Sequence, residues 1–90
     1  EITRIRHEGR VNDVAFSPDG AYLATRSADN TVALVEVASG EEITRIRHED
    51  WVWGVTFSPD GAYLATASAD GTAALVEVPS GAEITRIRHE

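Results

Sequence analysis

An all-β fold is predicted for this 90-residue chain by three observations: a tandem repeat, turn signals spaced about ten residues apart within it, and no helical periodicity in between. The octapeptide EITRIRHE occurs at residues 1–8, 42–49 and 83–90, which sets a period of 41 residues. Residues 1–41 and 42–82 align without gaps and are identical at 31 of 41 positions. The chain therefore holds two repeats and one further copy of the repeat's opening. A period in the low forties built from four short strands is the pattern of a propeller blade.

The elements follow in order. Residues 11–16 are rich in β-forming side chains and run into Ser17-Pro18-Asp19-Gly20, where proline presets the turn and glycine tolerates a positive φ. A second strand at 22–27 completes the hairpin. Ala28-Asp29-Asn30 then turns the chain into a third strand at 31–37, and Ser39-Gly40 into a fourth at 43–47. The second repeat places its turns at Ser58-Pro59-Asp60-Gly61, Ala69-Asp70-Gly71 and Ser80-Gly81.

Composition narrows the function. Hydrophobic residues make up 42% and charged residues 26%, an ordinary globular balance. The absence of cysteine excludes disulfides, thiolate chemistry and cysteine-ligated zinc. Fifteen acidic residues against eight arginines, with no lysine, give a formal charge of -7. Such a surface lacks the cationic groups that nucleic acid or an anionic membrane requires, so neither is expected as a partner. Apolar runs of about four residues fall far short of the roughly 20 that span a bilayer. No signal segment is visible, which for a natural chain implies a cytoplasmic protein. The high internal identity, and the lack of lysine and methionine, suggest a recently amplified or engineered sequence.

The residues resemble the WD-repeat, or β-transducin-like, propeller family over the whole chain. The resemblance rests on His7, His48 and His89 ending the fourth-strand segments, on V-x-x-V-x-F-S-P-D-G, and on L-A-T-x-S-A-D-x-T before an apolar third strand. In that family a blade is often pinned by a His, a strand Ser or Thr, a turn Asp and a strand Trp. By position the resemblance implies His7, Ser27 and Asp29 in one blade and His48, Ser68 and Asp70 in the other. The Trp is absent: the chain reads Leu34-Val35-Glu36 and Leu75-Val76-Glu77 where the family typically reads Leu-Trp-Asp. Arg6, Arg47 and Arg88 replace the usual Gly before the His. The network is thus cut to three members at most, and a buried polar set is valuable only when satisfied.

A propeller needs at least about four blades to close, so two blades leave sheet faces uncovered and strand edges unpaired. A ring of several chains with heterologous contacts is the expected solution. Whole chains permit six, eight or ten blades from three, four or five copies, and the tetramer with eight is the expected one. The resemblance also orders the segments: residues 1–8 are an extra outer, or latch, strand, residues 9–49 the first blade and residues 50–90 the second. Residues 1–8 would compete with residues 83–90 of the preceding copy for one outer slot.

Of the candidate sites, the three histidines sit at equivalent repeat positions, which favours a structural role over a metal or catalytic one. Asp29 and Asp70 read in the same way, as turn aspartates. No nucleophile with an adjacent base and no phosphate-binding glycine loop is present, so no catalytic residue, metal site or cofactor is expected. The ten differences between the repeats cluster where Gly9, Arg10, Asn12, Asp13 and Ala15 become Asp50, Trp51, Trp53, Gly54 and Thr56. In the resembling family this rim is the top-face surface for peptides, which implies Arg10, Asn12, Ala28, Trp51, Trp53 and Ala69 as contact positions; packing of both tryptophans between blades is the alternative. Counting back from the Pro18 turn places Asp13 opposite Arg26, give or take a one-residue bulge, and both charges vanish together at Gly54 and Ala67, which suggests a cross-strand ion pair in the first blade alone. Six of the eight arginines lie in the repeated outer strand, where charge opposes unwanted strand addition. The expected function is a self-assembling propeller building block without catalytic activity, with a peptide-binding module on the tryptophan rim as the alternative.

Overall fold

The computed structural model describes residues 11–88, which form eight six-residue strands. These are β1 (Val11–Phe16), β2 (Tyr22–Ser27), β3 (Thr31–Glu36), β4 (Glu42–Arg47), β5 (Val52–Phe57), β6 (Tyr63–Ser68), β7 (Thr72–Glu77) and β8 (Glu83–Arg88). They make two four-stranded antiparallel sheets, ordered β1-β2-β3-β4 and β5-β6-β7-β8, and neither sheet closes on itself. The latch strand expected at residues 1–8, together with His7, Arg10 and His89, lies outside the described residues.

Local chemistry explains the turns. In the first hairpin the Gly20 N–H donates to the Ser17 carbonyl at 2.9 Å, and Gly20 has a φ of 75°, a region closed to most side chains. The Asp19 carboxylate accepts from the Ala21 N–H at 2.9 Å and from the Ser17 hydroxyl at 2.7 Å. Ser58, Asp60 and Ala62 repeat the arrangement. The second turn needs a positive φ at its tip: Asn30 adopts 70° and its counterpart Gly71 adopts 86°. This explains one of the ten repeat differences, because asparagine and glycine are the residues that enter that region most readily. The third strand ends at Glu36, one residue before the expected 37, because the Glu36 carbonyl accepts from the Gly40 N–H at 2.8 Å and so starts the turn. The fourth strand gains Glu42 at its start.

The sheets pack face to face. Residues paired across an antiparallel ladder share a face, so Ala24 with Leu34, and Val32 with Ile46, form the front of the first sheet. Leu64 with Val76, and Thr66 with Ala74, form the back of the second. One buried cluster joins them: Ala24, Val32, Leu34 and Ile46 meet Val52, Leu64, Ala74, Val76 and Val78, flanked by Tyr22, Ile43, Val55 and Phe57.

Equivalent residues therefore differ in burial according to what faces them. Ile46 is 4% exposed on the front of the first sheet, whereas its repeat partner Ile87 is 50% exposed on the front of the second. On the back, Val55 and Phe57 pack against the cluster while their counterparts Val14 and Phe16 stand exposed. The centre of that first back face, at Thr25, Ala33 and Val35, is buried.

Candidate functional site

His48 follows β4 and is held by both sheets. Its N–H donates to the Asn30 carbonyl at 3.0 Å, in the β2–β3 turn of the first sheet. Its buried ring lies in the second sheet, with Nδ1 2.9 Å from Thr72 Oγ1 and Nε2 2.8 Å from Thr66 Oγ1. The Thr72 hydroxyl donates its proton to Asp70 Oδ1, so its oxygen is left to accept from His48 Nδ1–H. Nε2 then accepts from the Thr66 hydroxyl, and a neutral ring satisfies every group in the set. Burial lowers the His48 pKa, helped by the Arg86 charge, and both outweigh the Asp70 carboxylate 3.4 Å from Nδ1.

Asp70 organises the turn around this ring. It accepts from the Thr72 N–H at 2.8 Å and from the Glu49 N–H at 2.8 Å. Its burial opposes ionisation, but these donors, the Thr72 hydroxyl and the nearby His48 hold the carboxyl well below the usual range. Ser68 does not reach the His48 ring. Its hydroxyl donates at 3.0 Å towards the carbonyls of Asp50 and Trp51, and accepts from the Asp70 N–H at 3.1 Å. The set around His48 is thus Thr66, Asp70 and Thr72, with Ser68 joined through the Asp70 backbone. Thr66 was open to detection, since it lies two residues before Ser68 and shares its sheet face. In the first sheet Asp29 accepts from the Thr31 N–H at 3.0 Å, and the Ser27 hydroxyl accepts from the Asp29 N–H at 3.2 Å.

A second polar group lies at the packed faces. Asp13 pairs with Arg26 across β1 and β2, beside a bulge between Val11 and Asp13. The Arg26 Nη2 lies 3.6 Å from Asp13 Oδ2, and its Nη1 crosses to the second sheet and donates to the Val52 carbonyl at 3.0 Å.

The rim positions separate. Ala28 and Ala69 are exposed at turns, Asn12 is in β1, and the Ala69 N–H donates to the Trp51 carbonyl at 2.8 Å. Trp51 and Trp53 are both about half exposed. Trp53, without Trp51, walls a hollow of about 380 Å³ completed by Ala67, Ser68, Gly71, Thr72 and Ala73. On the outer strands Arg45 pairs with Glu42 at 2.6 Å and Arg86 with Glu83 at 2.8 Å, and the Arg86 Nη1 donates to the Arg47 carbonyl of the other sheet at 2.9 Å. Among the described residues no cluster of His, Asp and Glu could hold a metal ion, and no helix is long and apolar enough to cross a membrane.

The sequence profile described as WD domain, G-beta repeat matches residues 1–35 and 40–75. No curated protein sequence matches the chain. Among solved structures, U3-55K superposes with a TM-score of 0.82 at 19% identity, over 96% of this chain and 28% of that one. The RRP9 WD40 repeats superpose with a TM-score of 0.82 at 20% identity, again over 96% and 28%. The β-propeller domain of Cps50 (Swd1) from Myceliophteria thermophila gives 0.78 at 23% identity, over 96% and 26%. The chain therefore spans little more than a quarter of the structures it resembles.

Proposed function

Because the chain belongs to the WD domain, G-beta repeat family, whose fold is generally a non-catalytic scaffold for protein interactions, we propose that it is a two-blade building block of a ring of identical chains. The carrying observation is the contrast between Ile46 and Ile87: one sequence on one face is buried where a blade follows and exposed where none does. Ala65, Leu75 and Ile87 on the front of the second blade repeat Ala24, Leu34 and Ile46, which the first blade buries, and Val14 and Phe16 are uncovered on the back of the first. Front and back belong to the same chain, so a second copy fits head to tail, and such heterologous contacts close into rings. Four copies and eight blades are the proposed stoichiometry. The blades run from 9 to 49 and from 50 to 90, and residues 1–8 share the outer-strand position of β8 in the preceding copy. All six residues of β8 are exposed, which suits the outermost strand of a blade.

Native mass spectrometry over a dilution series tests this reading. A tetramer of 9.7 kDa chains is expected, losing its fold as it dissociates. A stably folded monomer at micromolar concentration overturns it.

The exposed Trp51 beside Ala69 favours one second reading, in which the rim around Trp51 and Trp53 takes peptides. Replacing both tryptophans by serine separates the two. Loss of the ring assigns them to assembly, and an intact ring that no longer retains a peptide bound by the parent assigns them to binding.

A further inference from the structure

The two repeats differ at the place where one blade receives the next. Within the chain, the front of the first blade meets Val52 at the start of β5 with Arg26, which donates to the Val52 carbonyl and lies beside Asp13. In the second blade the equivalent residues are Gly54 and Ala67, and Val32 is replaced by Ala73. The guanidinium, its counter-ion and two methyl groups are all absent. The resulting hollow of about 380 Å³ has Trp53, where the first repeat has Asn12, as its one large wall.

We infer that this hollow is the seat for the first blade of a second copy, with Trp53 closing over the incoming β1. The inference rests on the ring reading and gives its chain-to-chain junction a chemistry of its own. The occupant follows from the junction inside the chain: β5 begins with Val52, fully buried against the first blade, and β1 begins with the same residue type at position 11. An incoming β1 finds no guanidinium to bind its carbonyl, and a cavity of this size left unfilled loses the packing of its lining. The half-exposed indole of Trp53 is the available filler. The junction inside the chain is therefore an arginine clamp, and the junction between chains an aromatic one.

Single-tryptophan chains test this in the assembled state. In rings of Trp51→Phe, the remaining Trp53 should emit to the blue and resist acrylamide quenching several-fold better than Trp51 does in rings of Trp53→Phe. Equal quenching of the two overturns the inference while leaving the ring in place. Independently, Trp53→Asn should raise the concentration at which the ring dissociates by about tenfold or more, as loss of a central aromatic anchor does. Adding Gly54→Asp and Ala67→Arg to that variant should recover the loss by transplanting the clamp of the first blade. An unchanged dissociation midpoint in Trp53→Asn also overturns it. A parent chain that forms no ring fails the ring reading itself, a result read before any variant is made.

Discussion

Arg26 reaches across the packed sheets to Val52, its Nη1 donating to the carbonyl oxygen at 3.0 Å, while Asp13 stands 3.6 Å from the other terminal nitrogen. The two contacts are unequal. The carbonyl bond lies at the sheet interface, whereas Asp13 is 63% exposed and its attraction is screened by water. Truncating Arg26 to alanine should cost about 1.5–3 kcal/mol, the range for a hydrogen bond to a charged group. Asp13→Ala should cost less than about 1 kcal/mol. A double-mutant cycle in urea at fixed chain concentration should then give a coupling of about 0.2–1 kcal/mol. Equal single losses would show that the ion pair, and not the bond to Val52, is the main work of Arg26.

The His48 set predicts how stability depends on pH. Burial and Arg86 depress the pKa of His48 in the folded chain below the ordinary value of about 6.5. The unfolded chain therefore binds the proton more readily, and stability is whole above about pH 6.5 and falls as pH drops towards the folded value. Asp70, Asp60, Asp19 and Glu83 are also depressed in the fold, so their contributions hold above about pH 4 and are lost in a second, more acid step. Urea midpoints measured from pH 8 to pH 3 should decline in these two stages. His48→Gln should flatten the first and spare the second.

Which hydroxyl serves the His48 ring is open to direct measurement. Thr66→Val keeps the shape but removes the donor to Nε2, leaving a buried acceptor unsatisfied at a cost of about 1–3 kcal/mol. It should also move the ring ¹⁵N shifts and the titration of His48. Ser68→Ala should leave both readouts in place, because its hydroxyl serves the Asp50 and Trp51 carbonyls. A shifted His48 titration in Ser68→Ala would reverse the assignment.

These cases show what a one-dimensional pattern encodes. Strand position and hairpin register are local: a turn of fixed length after Phe16 decides that Asp13 faces Arg26, and alternation then sorts residues onto front and back. The sheet order and the repeat were legible for the same reason. Asp70 beside His48 was legible from its turn position, but the choice among the hydroxyls was not, because Thr66, Ser68 and Thr72 all lie on one face or beside it, and only the depth of the ring decides which oxygen it meets. The hollow beside Trp53 was hidden for a different reason. It is lined by the small side chains of Ala67 and Ala73 beside Trp53, whose shared location depends on pairing three strands.

Gly81 gives a last test, since it joins turn geometry to blade packing. Its φ is 75°, and a Cβ placed there would stand 2.7 Å from Ile43 Cγ2 and 3.0 Å from Thr44 Cβ in the other blade. Gly20 has the same φ of 75°, but a Cβ there would meet nothing within 4 Å. The pair separates backbone strain from collision. Gly20→Ala should lose about 1–2 kcal/mol, the cost of the left-handed region for an L-residue. Gly81→Ala carries that same strain and must also displace β4, adding about 1–3 kcal/mol of overpacking. Because the collision lies between sheets, the Gly81 variant alone should loosen the blade junction, read as faster hydrogen exchange at Glu49 N–H, whose acceptor is Asp70 in the second blade. Equal losses in the two variants would mean that the β7–β8 turn shifts away from β4 at no cost, and that the close approach of Gly81 to Ile43 is not part of what holds the blades together.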